Sequence, residues 1–316
     1  MKAALHSFAP AALTLFMLFP AGVNAKEADT QQKLANVVIL ATGGFGNNPE
    51  MIEKYLPRAA ATGDWRWYIG ADGARSEVAR QGGVPNAEKT KYVFAYHEII
   101  ESPVGQPGYD AARCDVYYQG EVSPDFYGWV FPHGKTMSVG MGSADKGYSL
   151  RSATARLREI AGLTHAPTLR REGAPIPLKP LPQWDNGRDV VVIGDAAGVV
   201  APSSGEGIYY AMDCARRVAQ AAHQALKTGN SACLKQGRKS FMKQHGRVFW
   251  ILGVMQYFWY QNDKRREKFV KICEDRDVQR LTFESYMNKE LARKDPMAHV
   301  RIFFKDMAHL LGLART

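Results

Sequence analysis

The segment with the strongest chemical signature runs from Val190 to Met212, with the sequence VVVIGDAAGVVAPSSGEGIYYAM. It opens on a β-branched run that is typical of a buried parallel strand, and Gly194 and Asp195 end that strand. Ligands of α/β folds bind at the carboxyl ends of strands. A carboxylate at this place can accept hydrogen bonds from the hydroxyls of a ribityl or ribose chain. Taken alone, Asp195 could equally form a turn or cap a helix, and the whole string argues against that alternative.

Further along the same segment, Gly205, Glu206 and Gly207 begin the helix that is predicted to follow the strand. Glycines let backbone N–H groups approach a ligand closely, and a helix N-terminus stabilises negative charge. The segment therefore indicates a site for a ligand that carries both sugar hydroxyls and an anionic edge.

The elements that must position this segment follow from apolar periodicity and from Gly and Pro punctuation. Two further strands of the parallel type and several antiparallel strands are expected. The segment from Arg171 to Pro182 contains four prolines, which indicates an extended connection rather than a strand. The other predicted elements are strands at Asn36–Ala41, Arg66–Gly70, Tyr92–Ile100, Cys114–Gly120, Gly128–Pro132, Thr136–Gly142 and Asp189–Ile193, and helices at Pro49–Leu56, Glu77–Gln81, Ser152–Ala161 and Gly207–Thr228, with a mostly helical chain from Cys233 onward.

Composition places the chain among globular proteins, with 46% hydrophobic and 23% charged residues. No apolar run reaches the roughly 18–20 residues of a membrane helix, which excludes a protein with several membrane spans. The four cysteines have neither CxxC spacing nor a histidine pair at zinc spacing. We therefore expect buried or unreactive thiols and no metal site.

The N-terminal segment Met1–Ala25 is predicted to be a secretory signal peptide. Lys2 supplies the positive start, Pro10–Phe19 the apolar core, and Val23-Asn24-Ala25 a cleavage site of the small-x-small type. This pattern predicts export to the periplasm.

The Val190–Met212 string resembles the FAD-contacting Gly-Asp motif of flavoprotein hydroxylases and reductases. More narrowly, it resembles the geranylgeranyl reductase family of chlorophyll and bacteriochlorophyll synthesis. Ile69–Ser76 (IGADGARS) resembles the Asp-Gly motif of that family, which lies near the FAD pyrophosphate and ribose, and Tyr127–Pro132 (YGWVFP) resembles its aromatic strand beside the substrate pocket. Lys91–Ser102 and Ala174–Pro182 are similar too, so that the resemblance runs from about Trp65 to the C-terminus.

This resemblance implies an FAD-dependent enzyme that reduces the C=C bonds of a geranylgeranyl chain to give phytyl. The chain would be free as geranylgeranyl diphosphate or esterified to (bacterio)chlorophyll, NADPH would be the electron donor, and the enzyme would be cytoplasmic and peripheral to the photosynthetic membrane. Neither the resemblance nor the residues identify a catalytic acid, and His97, His133 and His165 are more typical of structural or solvated histidines. The implied contacts are with FAD at Asp72, Gly73, Arg75, Gly194, Asp195, Gly205, Glu206 and Gly207, and with substrate at Trp129, Phe131 and Pro132.

The N-terminal part departs from the family. The family begins with a strand and a GxGxxG turn, and here Gly43-Gly44-Phe45-Gly46 has the wrong spacing for it. Val37–Pro57 instead resembles exported fumarate-reductase flavoproteins. We therefore expect a gene fusion: an α/β FAD-dependent hydroxylase/reductase-like fold that lacks its first GxGxxG βαβ unit and holds FAD weakly. The alternatives are a non-functional remnant and a periplasmic fumarate-reductase-like flavoprotein.

Five parts of the chain are predicted. They are a signal peptide at 1–25, a fumarate-reductase-like fragment at 26–64, a partial FAD-binding domain at 65–90 and 185–230, a mixed-sheet substrate domain at 91–184, and a basic helical region at 231–316.

All the excess positive charge lies near the C-terminus. Residues 226–316 hold 19 Lys and Arg against 9 Asp and Glu, which equals the net charge of +10 of the whole chain. A basic region of this kind can face anionic lipid, nucleic acid or a phosphorylated substrate, or it can be a solvated surface. Aromatic and basic residues do not form a recognisable nucleic-acid module, so no nucleic-acid partner is expected. The apolar stretch Val248–Tyr260 is either a core helix, a cover for a prenyl tail or an interfacial helix. We expect Lys264, Arg265 and Arg266 beside it to face anionic lipid.

Overall fold

The structure is a computed structural model that describes residues 37–40 and 67–288. The chain divides into two compact units. Unit 1 comprises Met1–Thr90, Lys179–Val200 and Glu206–Lys243, and unit 2 comprises Lys91–Leu178, Ala201–Gly205 and Gln244–Thr316. The predicted signal peptide, the predicted helix Pro49–Leu56 and the Gly43–Gly46 turn lie outside the described residues.

The described elements follow the predicted order closely. The strands are β1 Val37–Leu40, β2 Trp67–Gly70, β3 Tyr92–Glu101, β4 Asp115–Tyr117, β5 Gly128–His133, β6 Thr136–Ser143, β7 Thr168–Pro177 and β8 Val190–Val192, and the α-helices are α1 Glu77–Gln81, α2 Leu150–Ile160, α3 Ile208–Thr228, α4 Lys235–Trp259, α5 Asp263–Ile272 and α6 Arg276–Asn288.

Unit 1 contains a parallel sheet in the order β1-β2-β8. Ile69 of β2 is opposite Val191 of β8, and Gly70 is opposite Val192, so the carboxyl ends of these two strands are level with each other. All three residues of β8 are buried, which explains why its sequence is a continuous β-branched run without polar alternation. The sheet therefore brings the turns after β2 and β8 to one edge.

Unit 2 contains an antiparallel sheet in the order β4-β5-β6-β3-β7. One face of this sheet packs against α2 around the buried residues Val130, Val139, Met141 and Leu157. The helical part of unit 2 forms a second cluster, in which Trp259 and other apolar residues after it surround Phe126. Val93 of β3 belongs to this second cluster, so helical residues also pack against part of the second face of the sheet.

One prediction of local structure is wrong. The proline-rich segment was expected to be a connection, and residues Thr168–Pro177 form β7, which pairs with β3 from Tyr92 opposite Pro177 to Ile100 opposite Thr168. β7 is at the edge of the sheet, where a proline removes a donor from only one side of the strand. Pro175 and Pro177 therefore limit this segment to an edge position and do not exclude a strand, while Pro180 and Pro182 follow it in the expected connection.

Candidate functional site

Asp195 lies in a short 3-10 turn, Gly194–Ala197, directly after β8. Its side chain is half-buried. Within residues 37–40 and 67–288, its carboxylate oxygens have no hydrogen-bond donor. Burial without a compensating donor raises the pKa of this carboxyl above its usual range. The site therefore contains a desolvated acceptor that requires a ligand or water as its donor.

Gly207, at the start of α3, lies next to the Asp195 carboxylate. A Cβ atom added at Gly207 would lie 3.6 Å from Oδ1 of Asp195 and 3.2 Å from Cγ2 of Val200. Gly207 is the N-cap of α3 without a side chain to cap it, and Glu206 accepts a hydrogen bond from the N–H of Tyr209 at 3.0 Å. The structure thus places Gly194, Asp195, Glu206 and Gly207 around one helix start in unit 1, with Glu206 acting as a helix cap.

Gly205 belongs to unit 2, in the loop Ala201–Gly205. Its φ of +66° is in the left-handed region that favours glycine. A Cβ atom at Gly205 would lie 3.6 Å from both Cζ of Phe126 and Oη of Tyr127, and its N–H donates to the carbonyl of Ala201 at 2.9 Å. The loop therefore packs against the aromatic residues that lead into β5.

The turn after β2 holds the predicted contacts Asp72, Gly73 and Arg75. Asp72 is buried and accepts hydrogen bonds from Oγ of Ser76 at 2.5 Å and from the N–H of Val78 at 3.0 Å. Ser76 in turn caps α1. Gly73 has a φ of +86°, and Arg75 is exposed. The Asp72 carboxylate thus shapes the turn and the start of α1, rather than standing open to a ligand as Asp195 does.

We predict that Asp72→Ala lowers stability before it affects cofactor binding. It removes a capping carboxylate and leaves the N–H of Val78 without its acceptor, so the free energy of unfolding should fall by about 1–2 kcal/mol. Urea denaturation of the FAD-free protein measures this change. An unchanged midpoint together with a large loss of FAD affinity would instead make Asp72 a cofactor ligand.

The predicted substrate strand places its residues on two faces. The rings of Trp129 and Phe131 share one face, 6.4 Å apart, and Nε1 of Trp129 donates to Oγ of Ser138 at 3.0 Å. Gly140 lies beside the indole, since a Cβ there would be 2.6 Å from Cζ2 of Trp129. Pro132 alternates to the other face, where it lines a cavity of about 320 Å³ with Val130 and Met137. The structure therefore brings together two of the three predicted wall residues.

His97 lies next to this aromatic face. Its Nδ1 is 2.8 Å from Oγ of Ser138, its Nε2 is 3.0 Å from Oε2 of Glu172, and its ring is 6.3 Å from that of Trp129. Both ring nitrogens therefore have protein partners. His133 and His165 are exposed. Among the cysteines, Cys214 is buried, and burial raises the pKa of its thiol to about 12, so it stays protonated.

Arg266 does not form part of a free basic surface. It is 2% exposed, and it donates to Oδ1 of Asp263 at 2.6 Å, to the carbonyl of Tyr260 at 2.7 Å, and to the carbonyl of Pro124. The expectation that it faces lipid together with Lys264 and Arg265 is therefore wrong. The guanidinium is buried because it satisfies carbonyls at the end of α4 and before β5.

Comparison with known proteins agrees with this fold. The family described as FAD binding domain matches residues 59–240, which is more than half of the chain. A solved structure from Thermoplasma acidophilum, described as geranylgeranyl bacteriochlorophyll reductase-like, has a TM-score of 0.60 and 20% identity and covers 79% of this chain and 62% of that chain. At this identity the likeness shows the fold, an α/β FAD-binding fold with a helical C-terminal part.

Two relatives of known name are geranylgeranyl diphosphate reductases. A geranylgeranyl diphosphate reductase of Rhodobacter capsulatus is 58% identical over 248 residues, which covers 78% of this chain and 63% of that protein. One from Synechocystis is 36% identical over 256 residues, with 77% and 60% covered. The chain belongs to the FAD binding domain family, and these relatives make it similar to the geranylgeranyl diphosphate reductases. It spans about three fifths of the length of these relatives.

Proposed function

We propose that this protein is an FAD-dependent oxidoreductase that reduces C=C bonds of a geranylgeranyl group to give phytyl in (bacterio)chlorophyll synthesis. The substrate would be geranylgeranyl diphosphate or the geranylgeranyl ester of the pigment, with NADPH as the electron donor. The observation that carries the proposal is the Asp195 carboxylate, which is desolvated and has no donor in the described residues. The names of the relatives favour this reaction over fumarate reduction.

The residues of unit 1 fit FAD. Asp195 offers acceptor oxygens to sugar-like hydroxyls, Gly207 leaves open the space that a side chain would fill, and the N-terminus of α3 suits an anionic edge. When bound and reduced, FAD supplies the hydride. The protein itself binds the cofactor, orients the geranylgeranyl group and excludes water from that group.

The face of the sheet in unit 2 that carries Trp129 and Phe131 suits an apolar substrate. Trp129 and Phe131 are half-buried aromatic residues on rigid strand backbone, and neither ring is covered by the α2 cluster. A polyunsaturated chain binds through apolar area, at about 25 cal/mol per Å². These two rings are therefore the proposed wall for the geranylgeranyl group. Ser138 accepts a hydrogen bond from the indole of Trp129, and Gly140 has no side chain that would clash with it.

The reaction is tested with the purified 316-residue protein supplied with FAD, NADPH and geranylgeranyl diphosphate. Mass spectrometry should show products that have gained two hydrogens for each reduced bond. Chemically reduced FAD in place of NADPH separates the choice of donor from the reduction itself. Flavin binding without any reduction under either donor would reject the proposed activity, and transfer of electrons to fumarate would support the alternative enzyme.

We also propose a peripheral contact of unit 2 with the cytoplasmic face of an anionic photosynthetic membrane. The outer face of α4 presents Trp250, Val254 and Tyr257 at helical spacing, with exposures of 69%, 48% and 76%. Arg247 continues this face toward the N-terminus, and the exposed Lys264 follows α4. No described helix is long and apolar enough to cross a bilayer. An aromatic stripe beside cations is instead suited to the interface of anionic lipid.

The double substitution Trp250→Ser and Tyr257→Ser should weaken binding to vesicles of phosphatidylglycerol and phosphatidylcholine by about 10-fold or more, because it removes most of the apolar area. Co-sedimentation measures this. Val270→Ser, at another exposed apolar residue of unit 2, is the matched control and should bind as the unsubstituted protein does. Equal binding of all three proteins would place the membrane contact elsewhere or remove it.

A further inference from the structure

Four residues in register across the sheet of unit 2 place a histidine beside the proposed substrate wall. Trp129 of β5 is opposite Gly140 of β6, which is opposite His97 of β3. His97 is in turn opposite Glu172 of β7. Residues that are directly opposite in antiparallel strands point to the same face. A Cβ atom at Gly140 would be 2.4 Å from Cβ of His97 and 2.6 Å from Cζ2 of Trp129, so the imidazole and the indole share the space beside one glycine.

Ser138 joins these two rings through hydrogen bonds. Its Oγ lies 3.0 Å from Nε1 of Trp129 and 2.8 Å from Nδ1 of His97. Ser138 is 7% exposed. A hydroxyl has one proton to donate and two lone pairs to accept with, whereas an indole N–H only donates. Ser138 therefore accepts from Trp129, and its own proton can be donated to His97.

Glu172 fixes the other side of the imidazole. Nε2 of His97 is 3.0 Å from Oε2 of Glu172, and Nε of Arg170 is 2.8 Å from Oε1 of the same carboxylate. In an imidazole that carries one proton, one nitrogen donates and the other accepts. With Nε2 donating to Glu172, Nδ1 accepts from Ser138. One tautomer thus satisfies every group in the series from the indole to the carboxylate, because each group donates to the next.

This series gives the indole of Trp129 a fixed orientation. A hydroxyl that donates to His97 keeps its lone pairs directed toward the other partner, the indole N–H. A ring that is already fixed loses less conformational freedom when a ligand packs against it. All the residues of the series belong to unit 2.

We propose that His97 is a positioning residue for the geranylgeranyl group: it orients the hydroxyl of Ser138 and, through that hydroxyl, the indole of Trp129. The inference rests on the proposed substrate wall, and it adds the polar support that holds the wall in place. Trp129 contacts the substrate in this arrangement, and His97 acts through Ser138.

The test compares two substitutions of similar size, His97→Asn and His97→Gln. An asparagine amide extends about as far as Nδ1 of histidine and can still accept from Ser138, whereas a glutamine amide extends toward the position of Nε2 and Glu172. His97→Gln should therefore weaken binding of geranylgeranyl diphosphate roughly 3-fold in calorimetry, and His97→Asn should bind as the unsubstituted protein does. A role in packing alone predicts the opposite order, because glutamine fills more of the space of histidine.

A second measurement follows the indole itself. The chain has six tryptophans, and ¹⁵N labelling of their indoles gives one N–H signal for each in NMR spectra, of which Trp129→Phe identifies the signal of Trp129. Hydrogen exchange of that N–H should become faster in His97→Gln and stay unchanged in His97→Asn. His165→Asn, at an exposed histidine of unit 2, is the matched control and should change neither measurement.

The outcomes separate this inference from the proposed wall. Equal affinity of His97→Asn and His97→Gln, or a greater loss in His97→Asn, would overturn the positioning role. Faster indole exchange in His97→Gln with unchanged affinity would also overturn it, although the hydrogen bonds themselves would stand. If Trp129→Ala binds geranylgeranyl diphosphate as the unsubstituted protein does, the wall itself is rejected, and the positioning role is rejected with it.

Discussion

Asp195→Ala should weaken FAD binding by about 1–3 kcal/mol, which is roughly 5- to 150-fold in Kd. The structure gives the reason: the carboxylate is half-buried at the end of β8, next to the backbone of Gly207, and no described group donates to it. Hydroxyls of the cofactor would be its first donors, and alanine cannot accept from them. Titration of the purified protein with FAD, followed by quenching of flavin fluorescence, measures the change.

Asp195→Asn is the matched variant, since it retains the size and one acceptor oxygen. Its affinity should lie between those of the unsubstituted protein and Asp195→Ala. Glu172→Ala removes a half-exposed carboxylate of unit 2, paired with His97, and is the control for a general loss of negative charge. Equal affinity of all four proteins would remove Asp195 from the cofactor site.

Asp195 should also affect the thermal stability of the FAD-free protein. Burial raises the pKa of Asp195 in the folded chain, so the folded state binds its proton more tightly than the unfolded state does. The resulting stabilisation is complete below the unfolded pKa and is lost as the pH rises through the folded pKa. At neutral pH the FAD-free Asp195→Asn variant should therefore unfold at a higher temperature than the unsubstituted protein, and the difference should vanish at acidic pH. A lower melting temperature at pH 7 would contradict the assignment of a desolvated carboxylate.

The parts of the site that could be predicted from the sequence are those whose residues are close together in the chain. β8, its Gly194-Asp195 turn and helix α3 are contiguous in the sequence, so a buried run, a turn and an amphipathic helix could be predicted from neighbouring residues. The parallel pairing of β2 with β8 joins residues that are far apart in the sequence, so it was not predicted. Strand alternation further implied that Trp129 and Phe131 share a face.

The remaining features depend on contacts between distant residues. The edge position of β7 decides whether its prolines are tolerated, and periodicity cannot reveal which strand is at an edge. Arg266 belongs to a basic cluster by sequence, yet it is buried because carbonyls 6 and 142 positions away accept its hydrogen bonds. By sequence, Tyr260 is the last residue of an apolar stretch, and its hydroxyl donates to the carbonyl of the distant Ser203. In each case the partner, rather than the residue type, determines the role.

Trp129→Ala should weaken binding of geranylgeranyl diphosphate by about 2 kcal/mol, which is roughly 30-fold. A tryptophan side chain presents about 150–250 Å² of surface, and loss of some 80 Å² of contact with an apolar chain accounts for this value. Isothermal titration calorimetry with the FAD-loaded protein measures the affinity. Trp129→Phe keeps an aromatic wall but loses the donor to Ser138, so most of the affinity should remain.

Trp250→Ala separates the wall from the proposed membrane contact. Trp250 is 69% exposed on α4, and its removal should leave binding of the free diphosphate unchanged while it lowers binding to vesicles. Trp129→Ala should show the reverse, because its indole lies beside Gly140 on the face of the sheet proposed for the substrate. If Trp129→Ala binds the diphosphate as tightly as Trp129→Phe does, and its melting temperature is unchanged, the geranylgeranyl chain does not lie on this face, and the aromatic strand has a structural role alone.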